Sequence, residues 1–394
     1  MSHPNDPDFS FASPNTQTVD VLVVAGEHSG DEHAARMITA AKDKSPELNV
    51  CAVGGRHLEA AGAQLLFDLT EYSVIGFVEV LKHYKELKRL FDEIVSWITE
   101  YRPKVVVFVD YPGLNLRIAK KLTEEGISCK GGGSTRLLHY ISPQVWAWKA
   151  KRKYEMAKIL DSLAVIFPFE VDVFDDTGLE ARFVGHPFLS SDYDLPVSFA
   201  PDGPILLLPG SRRGAISRIA PMLFSAFAEC LKSKSKLTAV CIYATDDLKD
   251  LLVEILKDYP SVAERIELVP NTENVEARAV LTSSGTMSLN CALANIPGAV
   301  VYRTHPVTYV MAKFLVKVKY IGIANLLLDK PLYPEYIQGA ATKKRLSSEL
   351  IDCIENVERL RQTRNWAAEL RDHLDQPDNG GVSGWLLDYV ERDS

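Results

Sequence analysis

The chain has no run of about 18 consecutive apolar residues, which is the length that a membrane-spanning helix requires. Residues 1–18 contain neither a basic segment nor an apolar core, so we expect a disordered tail and no secretory signal. The six cysteines are widely separated and no CxxC pair occurs, so neither a disulfide framework nor a zinc site is expected. These absences favour a reduced, cytoplasmic protein.

The composition is that of a globular chain. Its 394 residues exceed the roughly 250–300 that one hydrophobic core accommodates, so two domains are expected. Apolar residues make up 46% and charged residues 24%, which excludes global disorder. The net charge of −8 argues against general nucleic-acid binding.

Short apolar runs alternate with amphipathic helical patterns, and this alternation predicts an α/β fold with doubly wound parallel sheets. The segment 189–203, rich in Pro, Ser and Asp, is the best domain boundary. The glycine-rich residues 129–135 are predicted to be a flexible loop. Eight strands are predicted, at residues 19–25, 104–110, 136–141, 162–167, 204–208, 238–243, 279–282 and 299–302.

Residues 24–31 (VAGEHSGD) lead from a strand through a glycine-containing turn into a helix. Ser29 or Asp31 is expected to cap that helix, and the free amides at such a terminus attract anions. A simple strand-to-helix turn is the alternative, because the segment lacks the GxGxxG spacing of dinucleotide-binding proteins.

Two further strand–turn–helix segments lie in the second half, at residues 206–213 (LLLPGSRR) and 283–286 (SSGT). Backbone amides, the Ser211 hydroxyl and the Arg212 guanidinium are groups that bind phosphate. Together, these two segments predict a diphosphate held between two helix N-termini. The alternative is that both segments are ordinary turns that bind no ligand.

Asp110 stands at the end of an apolar run, where α/β sheets bind their ligands. An acidic group there can serve as a general base or can cap the next helix, and the residues alone favour neither. No HExxH, Walker A or GxSxG motif occurs, so no metal ligand or nucleophile is assigned.

Two segments combine aromatic and basic residues: 141–152 (ISPQVWAWKAKR) and 301–320 (VYRTHPVTYVMAKFLVKVKY). Such segments can stack on sugars or lie on an anionic membrane. The simpler interpretations are a core tryptophan pair beside a solvated basic helix, and a half-buried helix whose lysines reach solvent.

Taken together, these motifs resemble the lipid-A-disaccharide synthases, which are glycosyltransferases of the GT-B type. The resemblance extends from about residue 21 to about residue 346. Its matching blocks are AGEHSGD (25–31), GGRHLEAAG (54–62), SVIGFVEVL (73–81), DYPGLNLRIAKKL (110–122), HYISPQVWAWKAKR (139–152), FPFE (167–170), FVGHP (183–187), LLPGSR (207–212), SSGTMSL (283–289) and a late block within 302–338.

The resemblance implies two Rossmann-like domains with a cleft between them. The N-terminal acceptor domain would cover residues 19–190 and the C-terminal UDP-sugar-binding domain residues 191–370. Residues 371–394 would form a helix that returns to the N-terminal domain.

The activity implied is inverting transfer of 2,3-diacylglucosamine from UDP-2,3-diacylglucosamine to 2,3-diacylglucosamine 1-phosphate. The products would be a β-1,6-linked disaccharide 1-phosphate and UDP. No cofactor or metal is implied. The enzyme would be cytoplasmic and peripheral on the inner membrane, with residues 74–80 and 313–319 as candidates for acyl-chain and membrane contact; a homodimer is compatible with the resemblance.

Family residues carry over position by position. Asp110 matches the essential aspartate that would deprotonate the acceptor 6-hydroxyl. The positions that match nucleotide-binding residues are Ser211, Arg212, Gly285, Thr286 and Asn290. The positions that match cleft-lining residues are Glu27, Ser29, Gly30, Asp31, Asn325, Glu335 and Gln338.

Several positions depart from the family pattern. Asn290 stands where a glutamate usually holds the ribose hydroxyls, Ala215 where a glutamate is common, and Gly113 where many members have aspartate. The insertion GGGST at residues 131–135 is atypical.

Two alternatives remain at this point. A UDP-sugar 2-epimerase shares the GT-B fold and needs no lipid acceptor. A GT-B binding protein that has lost catalysis is suggested by Asn290. Release of UDP that depends on an acylated acceptor distinguishes the synthase from both.

Overall fold

A computed structural model of the protein describes residues 10–73, 84–147, 149–190, 192–305, 309, 318–375, 377 and 380–392. The chain forms two compact units, one from Met1–Pro187 with Gln376–Ser394 and the other from Phe188–Asp375. Two predicted lipid-contacting segments, residues 74–80 and 313–317, lie outside the described residues.

The first unit is built on a seven-stranded parallel sheet with the order β3-β2-β1-β4-β5-β6-β7. Its strands are β1 (Val21–Ala25), β2 (Val50–Gly54), β3 (Gln64–Asp68), β4 (Val105–Val109), β5 (Arg136–Tyr140), β6 (Ser162–Val165) and β7 (Glu180–Phe183). Its helices before the boundary are α1 (His28–Lys44), α2 (Arg56–Ala60), α3 (Leu69–Ser73), α4 (Tyr84–Tyr101), α5 (Pro112–Glu124), α6 (Arg152–Ile159) and α7 (Glu170–Phe174).

Helices cover both faces of this sheet, which explains why its central strands are almost wholly apolar. Successive side chains of a strand point to opposite faces. Val106 and Phe108 of β4 therefore enter the same core as Ile94 of α4. Val107 enters the other core together with Met37 of α1.

The second unit has a six-stranded parallel sheet with the order β11-β10-β9-β13-β14-β15, and a separate pair β12-β8. Its strands are β8 (Val197–Phe199), β9 (Ile205–Leu208), β10 (Ala239–Tyr243), β11 (Ile266–Pro270), β12 (Val275–Ala277), β13 (Ala279–Thr282), β14 (Gly298–Tyr302) and β15 (Glu335–Ile337). Its described helices are α8 (Arg213–Leu231), α9 (Asp246–Leu256), α10 (Pro260–Ala263), α11 (Thr286–Leu293), α12 (Ile323–Leu328), α13 (Lys343–Glu355) and α14 (Val357–Leu374).

Helix α8 is long and apolar enough, by length and composition alone, to cross a membrane. Half of its apolar window is buried inside the protein. Its side chains Leu223, Phe224 and Phe227 are fully buried in the core of the second unit. Burial of this kind is typical of the core helix of a globular unit.

The last helix, α15 (Gly381–Glu391), belongs to the first unit, and it is shorter than the segment 371–394 predicted to return there, because residues 371–374 belong to α14. Trp385 is fully buried, and its indole Nε1 donates to the Ser162 hydroxyl of β6 at 2.9 Å. The Tyr389 hydroxyl donates to the Glu180 carboxylate of β7 at 2.8 Å. The fold class predicted from the sequence, two doubly wound parallel-sheet units, is therefore confirmed.

The predicted disordered tail is wrong for residues 10–18. The amide of Phe11 donates to Glu93 of α4 at 3.1 Å, and its ring stacks on Phe67 at 5.9 Å between centroids. The indole of Trp97 donates to the carbonyl of Ala12 at 3.0 Å. Apolar side chains on the outer face of the unit thus hold this segment in place; residues 1–9 lie outside the described residues.

The glycine-rich loop is also different from the prediction, because it is tightly packed. A Cβ on Gly133 would overlap the carbonyl of Ile127, and one on Gly131 would overlap the backbone of Thr123. The Gly133 amide donates to the carbonyl of Ser128 at 2.9 Å. Glycine is needed here for close backbone approach, so the loop is a compact turn.

Candidate functional site

The first group of candidate residues lies where β1 and β4 end side by side. Ala25 of β1 pairs with Val109 of β4, so the segments that begin at Gly26 and Asp110 leave the sheet at the same edge. Glu27 is exposed at the N-terminus of α1, and Asp110 is half-buried. The structure therefore brings these two predicted carboxylates together, as expected for neighbouring parallel strands.

The backbone at Asp110 is held in an uncommon conformation. Asp110 and Tyr111 both have left-handed φ values, 45° and 44°. Each such residue costs about 1 kcal/mol or more, and strain of this kind concentrates at functional sites. The buried amide of Asn115 fixes the turn by donating to the carbonyl of Asp110 at 2.8 Å. Asn115 thus belongs to the scaffold that holds this turn.

The environment of Asp110 suits a proton acceptor. Burial, and secondarily the negative charge of Glu27, raise the pKa of Asp110 to about 6, against a hydrogen bond from the Tyr111 amide that lowers it. A carboxylate with a pKa near the working pH is a stronger base than an ordinary surface aspartate.

Asp31 does not cap α1, contrary to one of the sequence expectations. Its carboxylate is almost fully buried and accepts hydrogen bonds from the amides of Gly55 at 2.7 Å and His57 at 3.0 Å. It therefore caps α2, and the first turn of α1 becomes tied to the loop after β2. Ser29 is exposed, whereas Gly30 is buried against the end of β4.

The two predicted phosphate-binding segments meet at one edge of the second sheet. Leu208 of β9 pairs with Thr282 of β13, and the amide of Ser283 donates to the carbonyl of Leu208 at 2.8 Å. The loops that follow these strands are therefore adjacent, and a Cβ on Gly210 would lie 3.2 Å from the Ser283 hydroxyl. This adjacency within one unit is what the diphosphate prediction requires.

Both loops present exposed groups at the start of a helix. Helix α8 begins at Arg213 and α11 at Thr286, and neither N-terminus has a side-chain cap. The four predicted residues of these loops are exposed: Ser211, Arg212, Gly285 and Thr286. Uncapped N-terminal amides and a guanidinium form an anion-binding arrangement.

Asn290 lies one turn further along α11 and is almost fully buried. Its carbonyl oxygen accepts from the hydroxyl of Tyr193 at 3.4 Å. The ring of Tyr193 stacks on Phe188, with 4.7 Å between centroids. Tyr193 was not found by sequence analysis, because it lies in the segment assigned to the domain boundary, where the sequence DYD (192–194) was interpreted as surface charge.

Asn325 and Glu335 lie side by side, and their side chains form hydrogen bonds mainly with each other and with backbone groups. The Asn325 amide donates to the Glu335 carboxylate at 3.0 Å and to the carbonyl of Tyr333 at 2.6 Å. The Glu335 carboxylate also accepts from the amides of Ile321 and Gly322 at 2.8–3.0 Å. These bonds cap α12 and link it to β15, so both residues brace the fold of the second unit.

Gln338 directly follows β15, and its amide donates to the carbonyl of Thr304 at 3.1 Å. It lines a surface pocket of the second unit together with residues of α8 and of the segment after β14. Gln338 is thus a late-block candidate that lines a pocket of the second unit.

The tryptophan segment of the first unit is anchored by a buried acid. The indole of Trp146 donates to Glu170 of α7 at 3.1 Å and packs edge-on against Phe169. Burial raises the pKa of Glu170 to about 7. Glu170 lies in the block FPFE (167–170) that the sequence analysis singled out, but its hydrogen bond with Trp146 could be found only from the structure. Trp148 lies outside the described residues.

No group of three or more His, Cys, Asp or Glu side chains in the described part of the chain is arranged to hold a metal ion. The six cysteines are free thiols. Burial raises the pKa of Cys51 and Cys230 to about 11, so neither is a reactive thiolate near neutral pH.

Comparisons with known proteins agree with one another. Residues 21–379 match the family model described as lipid-A-disaccharide synthetase. Lipid-A-disaccharide synthase 1 of Legionella pneumophila (strain Lens) is 33% identical over 366 residues, which cover 90% of this chain and 93% of that protein. The lipid-A-disaccharide synthase of Geobacter metallireducens is 32% identical over 391 residues, which cover 94% and 97%.

Solved structures with the same fold are more distant in sequence. UDP-GlcNAc 2-epimerase from Neisseria meningitidis, bound to UDP-GlcNAc, has a TM-score of 0.57 at 11% identity and covers 94% of this chain and 98% of that chain. CalG4, the calicheamicin glycosyltransferase, has a TM-score of 0.54 at 14% identity and covers 95% and 99%. These likenesses show a GT-B fold and carry no information on the reaction. The family match and the relatives do: the chain belongs to the lipid-A-disaccharide synthase family of glycosyltransferases.

Proposed function

We propose that this chain transfers 2,3-diacylglucosamine from its UDP donor to the 6-hydroxyl of 2,3-diacylglucosamine 1-phosphate, with Asp110 as the general base. Inversion at the anomeric carbon by a single displacement requires one base and a stabilised leaving group. In this step the Asp110 carboxylate takes the hydroxyl proton, the oxygen attacks the anomeric carbon, and the bond to UDP breaks with its electron pair. The products are the β-1,6 disaccharide 1-phosphate and UDP.

Glu27 has a supporting role in this proposal. Its negative charge beside Asp110 disfavours the ionised form of Asp110 and makes that carboxylate more basic. Because Glu27 is exposed at the start of α1, it can also accept a hydrogen bond from a sugar hydroxyl.

We assign the stabilisation of the departing UDP to the second unit. The exposed backbone amides at Gly285 and Thr286, the Ser211 hydroxyl and the Arg212 guanidinium would donate to the diphosphate oxygens. Fixed donors of this kind stabilise charge as it develops. The proposal includes no metal or other cofactor, and turnover should persist in excess EDTA.

Both substrates carry acyl chains, so we also propose that the enzyme works at the inner-membrane surface as a peripheral, cytoplasmic protein. Co-sedimentation with vesicles of membrane lipid tests this part. A homodimer is compatible with the proposal, and sedimentation of the purified chain tests it.

The observation that best supports the proposal is the pair Glu27 and Asp110 at the ends of adjacent parallel strands, with the pKa of Asp110 raised to about 6. Burial is the main cause of the raised pKa, and the exposed carboxylate of Glu27 beside Asp110 is a second acidic group that a cap on α5 does not need. This pairing supports the role of Asp110 as a base.

The test is incubation with UDP-2,3-diacylglucosamine and the monosaccharide 1-phosphate, followed by mass analysis of the lipid products and measurement of released UDP. Disaccharide 1-phosphate formed in step with UDP is the expected result. A 2-epimer of the donor, formed without the acceptor, would support the epimerase alternative instead.

Asp110→Asn tests the base. It should reduce turnover by about 10³-fold or more while the Kd for UDP stays within twofold of wild type, because the base makes no contact with the nucleotide in this proposal. Asp43→Asn, the same change at an exposed position of α1, is the matched control and should leave turnover unchanged. Wild-type turnover in Asp110→Asn would overturn the assignment.

A further inference from the structure

The second unit contains a surface pocket of about 450 Å³ that none of the assigned nucleotide loops lines. One wall comes from the second turn of α8, another from the segment after β14, and a third from the residues after β15. The described residues that line it are Ser217, Arg218, Pro221, Arg303, Thr304, His305, Gln338 and Gly339.

The lining has the chemistry of an anion site. It contains two guanidinium groups, those of Arg218 and Arg303, together with hydroxyl and amide donors, and none of the described lining residues is acidic. Among the described residues, neither guanidinium forms an ion pair with a carboxylate. Two unneutralised arginines facing one pocket repel each other, and a bound anion relieves that repulsion.

The walls are held by contacts within the protein. Arg218 donates to the carbonyl of Gly214 at 2.6 Å, so its guanidinium folds back along the first turn of α8. Arg303 lies 3.3 Å from the sulfur of the buried Met222, measured from its Nη1. Gln338 donates to the carbonyl of Thr304 and so ties two walls together. The positive charges are therefore positioned before any ligand arrives.

The pocket is close to the proposed diphosphate site but separate from it. Helix α8 begins at Arg213. At a rise of about 1.5 Å per residue, Arg218 lies roughly 8 Å further along the axis than Arg213. The pocket thus uses the side of α8, whereas the diphosphate would occupy its N-terminus.

We propose that Arg218 and Arg303 form a subsite for a phosphate monoester, the anomeric phosphate of the sugar acceptor, and we thereby assign one acceptor-binding element to the second unit, which the resemblance reserves for the UDP-sugar. This inference rests on the proposed function, in which two phosphorylated groups take part. The diphosphate of the donor is already matched by two helix N-termini and Arg212. The phosphate monoester of the acceptor carries close to two negative charges at pH 7, and paired guanidinium groups are suited to bind it.

The kinetic test uses Arg218→Ala and Arg303→Ala in the full chain. Each variant should raise the KM for the monosaccharide 1-phosphate at least tenfold, while the KM for the UDP donor and the Kd for UDP stay within twofold of wild type. Arg361→Ala, an exposed arginine of α14 in the same unit, is the matched control and should change none of these values.

A direct test uses glucosamine 1-phosphate, which has no acyl chains, and follows its ³¹P signal with the enzyme saturated with UDP. We expect wild type to broaden the ³¹P signal and both variants to leave it sharp. This measurement does not depend on turnover. Glucosamine without phosphate should fail to compete.

The outcomes are distinct. If the variants instead weaken UDP binding or raise the donor KM, the two arginines bind the donor diphosphate and the inference is wrong. If both variants behave as wild type, the pocket binds no substrate phosphate and the inference is also wrong. If wild type forms no disaccharide at all, the proposed function fails, and that result is separate from the ³¹P measurement.

Discussion

The ring of Tyr111 lies against the backbone of Gly26, so closely that a Cβ on Gly26 would be within 3.0 Å of three ring carbons. Gly26 follows β1, and Tyr111 follows the proposed base on the neighbouring strand. The absence of a side chain at Gly26 thus allows the left-handed turn at residues 110 and 111 to pack against the start of α1. The sequence motif AGEHSGD therefore has a structural reason for its first glycine.

Gly26→Ala should displace the Tyr111 ring and with it Asp110. We expect kcat to fall at least tenfold and the free energy of unfolding to fall by about 1–3 kcal/mol, as for other overpacked sites. Gly30→Ala is the stability control, because the nearest atom to its Cβ would be 3.7 Å away. Urea unfolding of both variants, with an activity assay of Gly26→Ala, makes the comparison. Equal stability of the two variants would contradict the close packing.

The pH dependence of turnover should report the ionisation of Asp110. Since the base must be deprotonated, kcat/KM should rise through a midpoint near pH 6 and level off above it. Glu27→Gln removes the nearby negative charge and should move this midpoint to lower pH. Glu32→Gln, one turn further along α1, is the control and should leave the midpoint in place. An unmoved midpoint in Glu27→Gln would show that burial alone sets the pKa of Asp110.

The same raised pKa has a consequence for stability. The folded state binds the Asp110 proton more tightly than the unfolded state. The contribution of Asp110 to the free energy of unfolding therefore falls as pH rises from about 4 to about 6. Asp110→Asn does not titrate and should be more stable than wild type above pH 6, by on the order of 1–3 kcal/mol. Thermal unfolding at pH 7.5 checks this. A variant less stable than wild type at that pH would contradict the burial of charge at this site.

The central strands could be predicted from the sequence, because each is a nearly continuous run of apolar residues. All eight predicted strands form, with ends shifted by at most a few residues. Strands at the sheet edges were missed, such as β3 and β7, whose side chains are only partly buried. Strand β2 is fully buried but was also missed, because the glycine pair Gly54–Gly55 at its end indicates a turn.

The parts of the candidate site that directly follow a predicted strand could be predicted from the sequence. Asp110 and the phosphate loops follow apolar strands, and parallel sheets bring such ends to one edge. The roles of Asp31 and Glu335 were not predictable, because their partners are amides of other elements, up to 27 residues away for Asp31. Which acids face a ligand and which cap a helix is decided by packing that no local pattern encodes.

Asn290→Glu should restore a charged acceptor near the proposed ribose site. We expect UDP to bind more tightly by about 1–2 kcal/mol, because hydrogen bonds to charged groups are stronger than those to an amide. The Tyr193 hydroxyl, which now donates to Asn290, would orient the new carboxylate. In Tyr193→Phe the gain from Asn290→Glu should therefore be smaller. Calorimetry with UDP and with 2′-deoxy-UDP measures both effects; an equal gain with both nucleotides would place the contact away from the 2′-hydroxyl.

Glu170 should give the first unit a pH-dependent stability of its own. Its carboxylate accepts from the Trp146 indole and from the amide of Phe167, and burial raises its pKa to about 7. The folded state therefore holds the proton more tightly than the unfolded state, so the stability contributed by this group is lost as pH rises from about 4.5 to about 7.

Glu170→Gln cannot titrate. Its side chain has one carbonyl oxygen, so either the Trp146 indole or the Phe167 amide would face the NH₂ group of the glutamine and lose its acceptor. It should be less stable than wild type at pH 5, by about 1–3 kcal/mol. The difference should shrink by pH 8, because wild type loses stability over that range and the variant does not. Glu155→Gln, an exposed glutamate of α6, is the matched control and should follow wild type at both pH values. Urea unfolding curves at pH 5 and pH 8 measure the free energy of unfolding of the three proteins. If this free energy changed equally with pH in wild type and Glu170→Gln, the buried carboxyl would not titrate in this range.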